Sequence, residues 1–208
     1  MTTTTDVSAA FFARHLAETP VIGIFRGLDP RATVELCHRA WEFGVDLVEI
    51  PIQSDAALPS LEAAVDAARQ QGRHVGAGTV TTERRLRAAH ELGAAFTVAP
   101  GLHPPVVAAS GELGLPHLPG VATATDIAAA EAAGLTWVKA FPAGQLGPGW
   151  ITAQRAPFPD VHFVATGGVG PDNAADFLRA GCSAVAIGSA LADPEALPRL
   201  RAAVRATP

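Results

Sequence analysis

Lysine is almost missing from this chain. Its 208 residues hold one lysine against fourteen arginines, and only two cysteines. Cys37 and Cys182 lie far apart and no CxxC pair exists, so no disulfide framework is expected and a reducing, cytoplasmic setting fits. Charge is also scarce. Charged residues make up 17% and the net charge is -5, with no basic run, which argues against a nucleic-acid partner. No uninterrupted apolar run approaches the roughly 18 residues of a membrane span, so no membrane partner is expected either. Residues 1–20 lack a basic n-region, and Arg14 and Glu18 follow Phe11-Phe12 too soon for a signal peptide. Residues 7–18 are expected to form a short amphipathic helix on the floor of the fold. The seven histidines do not cluster. Without an HxH, HExxH or paired acidic spacing, a metal-dependent reaction is disfavoured, and no metal or other cofactor is expected.

Hydrophobic residues are plentiful, at 49%, enough to fill the core of one domain spanning residues 1–208. From Pro20 onward, short β-branched runs alternate with Ala-rich helical stretches. Strands are expected at 21–26, 46–51, 74–79, 95–100, 117–121, 137–142, 161–166 and 184–189. Asp29-Pro30, Asp193-Pro194 and, less strongly, Gly170-Pro171 read as helix starts, with a cap residue before a first-turn proline. Gly44, Gly72, Gly93, Gly134 and Gly181 read as left-handed helix stops. Residues 143–158 are rich in Gly and Pro, so only a short helix is expected, near 148–155. Eight βα units close most simply into an α/β (β/α)8 TIM barrel with a short N-terminal helix. An open doubly wound sheet is the alternative, weakened because no GxGxxG follows the first strand.

Catalysis in such barrels sits at the C-terminal ends of the strands. Those ends carry Arg26, Glu49, Thr79, Lys139, Thr166-Gly167-Gly168 and Gly188-Ser189. Lys139 stands between Trp137, Val138, Ala140 and Phe141, in a strand expected to be buried on both faces. Burial lowers an amine's pKa, and the neutral amine is the nucleophile that forms a Schiff base. The plainer alternative is a lysine that only pairs with an acid. Period-two alternation puts Leu47, Glu49 and Pro51 on the face opposite Val48 and Ile50. Glu49 would then point inward beside Lys139, either as a proton shuttle with raised pKa or as a mere ion-pair partner. Gly167 and Gly168, with a helix start near Gly170, read as a phosphate cradle to which Gly188 and Ser189 add donors, though glycines also serve tight turns. Arg26 offers a fork for a carboxylate or phosphate, unless it is a surface ion pair. Thr79 would assist, unless it is an ordinary strand residue. Trp41 and Trp137 are most simply packing residues.

The segments IFRG (24–27), VEIPIQS (48–54), GAGTV (76–80), APG (99–101), KAFPA (139–143), TGGV (166–169) and IGSAL (187–191) resemble the 2-keto-3-deoxy-6-phosphogluconate and 2-keto-3-deoxy-6-phosphogalactonate aldolases. The likeness runs from Val21 to Leu191 with the motifs in order. It implies a metal-free class I aldolase, usually a homotrimer, whose partners are a phosphorylated 2-keto sugar acid and pyruvate. It implies Lys139 as the imine-forming residue and Glu49 as acid and base. Thr79 would lie near the pyruvate carboxylate, and Thr166, Gly167, Gly168 and Ser189 at the phosphate end. Pro100, from the APG segment, joins the substrate-binding positions. Gln53 stands where many gluconate-branch members carry arginine, and Arg26, VEIP and GPGWI (147–151) resemble the galactonate branch. Thr166 resembles the gluconate branch, so the epimer stays open, as does activity on 4-hydroxy-2-oxoglutarate. Two other classes remain: a phosphosugar isomerase or epimerase with Glu49 as base, and a non-catalytic sensor of phosphorylated sugar acids.

Overall fold

The computed structural model describes residues 4–188, 193 and 196–205. It opens with α1 (Thr4–His15), β1 (Val21–Ile24), α2 (Pro30–Glu42) and β2 (Leu47–Pro51). A 3-10 turn (Asp55–Ala57) leads to α3 (Leu58–Gln71), β3 (His74–Gly78), α4 (Glu83–Glu91), β4 (Thr97–Val98) and α5 (Pro104–Glu112). Then come β5 (His117–Leu118), β6 (Gly120–Val121), α6 (Ala124–Ala132), β7 (Trp137–Ala140), α7 (Ala143–Leu146) and α8 (Pro148–Arg155). The chain continues through β8 (His162–Thr166), α9 (Ala174–Arg179), β9 (Ala184–Ile187) and α10 (Ala196–Arg205).

All the strand pairs are parallel, in the order β5-β4-β3-β2-β1-β9-β8-β7-β6. The two ends of that order, β5 and β6, are neighbours in the chain, separated only by Pro119. The expected fifth strand, 117–121, is thus cut in two. Proline has no N–H to give to a ladder, so the strand changes partner there. Leu118 still accepts from Ala99 on one side, while the Pro119 carbonyl accepts from Lys139 on the other at 2.8 Å. Nine strand pieces therefore make eight staves, and the sheet curls round as a (β/α)8 barrel.

The strands alternate cleanly. Ile22, Ile24, Leu47, Val98, Leu118, Trp137, Val164, Ala184 and Ala186 fill the interior together with Phe12 of α1 and Leu16 just after it. Val48, Ile50, Val75, Val138, Ala140, Phe163, Val185 and Ile187 pack outward against the helices. Helix α1 covers the floor as expected, with Phe12 lying against Phe96 and Trp137 at centroid distances of 5.8 and 5.9 Å. Asp29 caps α2 by accepting from the Ala32 N–H at 2.9 Å. All five helix-stop glycines are left-handed. One expected start is corrected. Residues 171–173 form a turn and α9 begins only at Ala174; the Gly170 carbonyl accepts from the Asn173 and Ala174 N–H groups and its N–H donates to Asn173 Oδ1, so this turn leads directly into the helix. Among the described residues, no helix is long and apolar enough to cross a membrane.

Candidate active site

Two ionisable groups face each other inside the barrel. Lys139 follows the inward Trp137 on β7 and is 5% exposed. Glu49 follows the inward Leu47 on β2 and is 1% exposed. Burial pushes the Lys139 amine below its ordinary value; the Glu49 charge pulls it back up and Arg26 lowers it further. Burial likewise pushes the Glu49 carboxyl up, against the opposing pull of Lys139 and Arg26. Both shifts favour neutral forms, which suits a nucleophilic amine and a proton-carrying acid. The lysine Nζ also lies 5.1 Å from the Phe141 ring centroid, over an electron-rich face. Among the described residues the two groups form no direct ion pair, so neither is locked by the other.

Glycines make the room for this pair. Alternation along β3 turns Gly76 and Gly78 inward. A Cβ on Gly78 would lie 2.4 Å from the Glu49 Oε1, and one on Gly76 would lie 2.5 Å from the Phe96 ring. Any side chain at 78 would displace the carboxyl group. The alternating pattern V-G-A-G-T holds that information, but only as the absence of side chains.

A cavity of about 570 Å³ opens at the C-terminal ends of the strands, lined in part by Arg26, Lys139, Thr166, Gly167, Gly168 and Gly188. Six of the expected site residues therefore meet at one mouth. Glu49 is enclosed in the interior, and Thr79 and Pro100 are not part of this lining. The Pro100 carbonyl instead lies beside Gly120, where a Cβ would approach it to 2.2 Å. Ser189 falls outside the described residues. Arg26 is exposed and, among the described residues, enters no ion pair, against the surface-pair alternative. Thr79 is not an ordinary strand residue. It follows the last residue of β3 with φ of 60°, a left-handed conformation that is costly for a β-branched side chain.

A larger cavity, about 770 Å³, lies at the opposite end among Arg14, His15, Asp46 and Arg73. Asp46 is shared by two of its charged groups: His15 meets it at 2.6 Å and Arg73 meets the same carboxylate at 3.4 Å. Among the described residues its lining holds no lysine or cysteine, so size does not locate the chemistry.

The loop after β8 is left-handed at two successive residues, Gly167 (φ 84°) and Gly168 (φ 74°). A Cβ on Gly167 would press the Phe141 ring at 2.9 Å. The Thr166 hydroxyl is buried and donates back to the Val164 carbonyl at 3.4 Å. The sequence reading passed over Asn173, which ties this loop down, and Phe141, which underlies both Lys139 and Gly167. It also passed over Arg85. That side chain donates to the Gln53 carbonyl at 2.5 Å and the Thr81 hydroxyl at 2.6 Å, joining the loops after β2 and β3. The side chain of Asn173 at the end of G-V-G-P-D-N was a readable turn signal.

An eight-stave parallel barrel with a sheltered amine on a strand-end cavity and a carboxyl buried in the interior within its electrostatic reach defines a class, the Schiff-base lyases built on this fold. Within that class the family is shown by comparison. The chain matches the family described as KDPG and KHG aldolase over residues 13–202, and it belongs to that family. It is 38% identical over 85% of its length to a probable 2-dehydro-3-deoxy-6-phosphogalactonate aldolase of Rhizobium meliloti (strain 1021), of which 84% is covered. It is 36% identical over 83% of its length to the 2-dehydro-3-deoxy-6-phosphogalactonate aldolase of Escherichia coli (strain K12), again covering 84% of that protein. A solved structure described as native KDPGal superposes with a TM-score of 0.84 at 32% identity, covering 90% of this chain and 95% of that one.

Proposed function

We propose that this chain is a class I aldolase that cleaves a 2-keto-3-deoxy-6-phospho sugar acid to pyruvate and D-glyceraldehyde 3-phosphate. The observation that carries this is the single lysine, sealed in the barrel with its pKa lowered, facing the cavity with Glu49 close enough to act on it electrostatically. The Lys139 amine adds to the C2 ketone, and loss of water leaves an iminium. Glu49, directly or through a water, takes the C4 hydroxyl proton. The C3–C4 bond breaks, its electron pair passes into the iminium as an enamine, and the aldehyde departs. Glu49 returns the proton to C3, and water then releases pyruvate and the free amine. Arg26 and Thr79 hold the carboxylate end. Backbone N–H groups of Gly167, Gly168 and Gly188, with Thr166 and Ser189, hold the phosphate, and Pro100 borders the substrate. Fixing both ends of the substrate gives the orientation that lowers the barrier.

The relatives named as phosphogalactonate aldolases, together with Gln53 and Arg26, favour the galactonate epimer; Thr166 favours the other. One hydrogen bond at the differing carbon suffices to discriminate. The whole chain, 1–208, is assigned as one barrel domain acting in the cytoplasm as a homotrimer, which light scattering in solution tests. The test of function is pyruvate release, coupled to lactate dehydrogenase, from each phosphorylated epimer side by side. Turnover of at least one supports the assignment. Binding without pyruvate release, or isomerisation of the sugar acid, overturns it.

A further inference from the structure

The phosphate assignment depends on backbone N–H groups facing the right way, and glycines alone do not aim them. Two carbonyls of the loop are held from behind. The Gly167 carbonyl accepts from the Gly144 N–H at 2.7 Å, and the Gly168 carbonyl accepts from Asn173 Nδ2 at 2.9 Å. In a trans peptide the C=O and the following N–H point in opposite directions. Anchoring these two carbonyls therefore turns the N–H groups of Gly168 and Val169 away from their anchors. Among the described residues neither N–H has a hydrogen-bond partner, and both residues line the cavity that holds Lys139. The Gly170 N–H is withheld, because Asn173 Oδ1 accepts it at 2.8 Å. One amide thus selects which donors stay open.

We propose that Asn173, with the Gly144 N–H, is a positioning clasp that aims the Gly168 and Val169 N–H groups at the substrate's phosphate. This rests on the assignment of that loop to the phosphate end. Gly144 suits the role because a Cβ there would come within 3.1 Å of the Gly168 Cα, so a larger residue would push the loop away. Successive N–H groups from left-handed residues form a concave anion site of the kind a phosphate monoester fills. Asparagine is specifically suited, since it must accept from Gly170 and donate to Gly168 with one side chain. Aspartate is nearly isosteric and keeps the first bond, but it sets a carboxylate oxygen against the Gly168 carbonyl.

The test compares the full-length chain with its Asn173→Asp and Asn173→Ala variants in three measurements. These are kcat/KM for the 2-keto-3-deoxy-6-phospho acid, kcat/KM for the same acid without phosphate, and borohydride trapping of pyruvate on Lys139. Asn173→Asp is expected to lose about tenfold or more on the phosphorylated acid, the scale of a hydrogen bond to a charged group. The rise should be in KM, with little change on the unphosphorylated acid and the same trapping rate. Asn173→Asp carries the comparison if Asn173→Ala fails to fold. An unchanged ratio between the two acids, whether both rates fall or neither does, overturns the clasp alone. A wild-type chain that traps no pyruvate overturns the aldolase assignment and the clasp with it.

Discussion

At the floor of the barrel the inward column of β7 begins with Trp137, wedged against Phe12 of α1. Two residues later the same column carries Lys139. The floor is closed by aromatic rings: Phe11, Phe12 and Phe96 touch one another, and Trp137 stacks on His162 at 4.7 Å. Towards the mouth the inward positions are small instead, with Gly78 on β3 beside Glu49 and Ala186 on β9 lining the cavity. Both ends use one alternating pattern. They differ in what fills the inward positions, and that difference separates stability from chemistry. The floor gains from burying apolar area. The inward positions above the floor hold two ionisable groups, Glu49 and Lys139, whose burial is costly.

The largest expected effect is at the mouth. Lys139→Arg should reduce pyruvate release to the background rate, because a guanidinium stays protonated and cannot add to the ketone. Lys139→Met should be equally inactive yet melt at the same temperature or higher, since an apolar chain of similar size replaces a desolvated amine. A large drop in melting temperature would instead mark Lys139 as structural. Next, Glu49→Gln should slow turnover by roughly 10²- to 10⁴-fold, the usual worth of a general acid–base group. Single-turnover kinetics should show both carbon–carbon cleavage and enamine protonation slowed.

At the floor the pattern should reverse. Phe12→Ala should cost about 3–5 kcal/mol of stability in urea unfolding while kcat per folded molecule stays the same. Loss of kcat at full folding would mean that the two ends are not separable.

The smallest effect is a pH dependence of the floor. His117 is fully buried, donates its backbone N–H to Ser8 of α1 and contacts the Thr97 hydroxyl at 2.8 Å. Burial lowers its pKa from 6.5 to about 4. The folded state thus holds it neutral, while the unfolded chain takes up a proton below about 6.5. Its contribution is present in full above pH 6.5 and is lost as the pH falls towards 4, about 3 kcal/mol in all. Urea unfolding at pH 7 and pH 4.5 should show this loss, and His117→Gln should shrink it.

Much of this was legible in the sequence because alternation and cap chemistry are local. Val48 and Ile50 against Leu47 and Glu49 gave the inward direction of Glu49 before any coordinates. The lone lysine in an apolar strand stood out for the same reason. What was not legible depended on tertiary contacts. Pro119 divides the fifth strand only because both of its neighbours compete for the ladder there. Gly170-Pro171 resembled a helix start, and the Gly170 carbonyl does accept from the Ala174 N–H, but residues 171–173 form a turn and the helix runs only from Ala174. Gly78 matters because a carboxyl group from another strand rests on it. Thr79 looked like a strand end, and its left-handed backbone has no sequence signature in a β-branched residue.

The most direct test of the central claim is reduction with borohydride in the presence of pyruvate, followed by peptide mass mapping. One reduced pyruvate should appear, on the peptide that contains Lys139, and Lys139→Arg should abolish it. An unmodified Lys139 under conditions where the chain still releases pyruvate from its substrate would contradict the account.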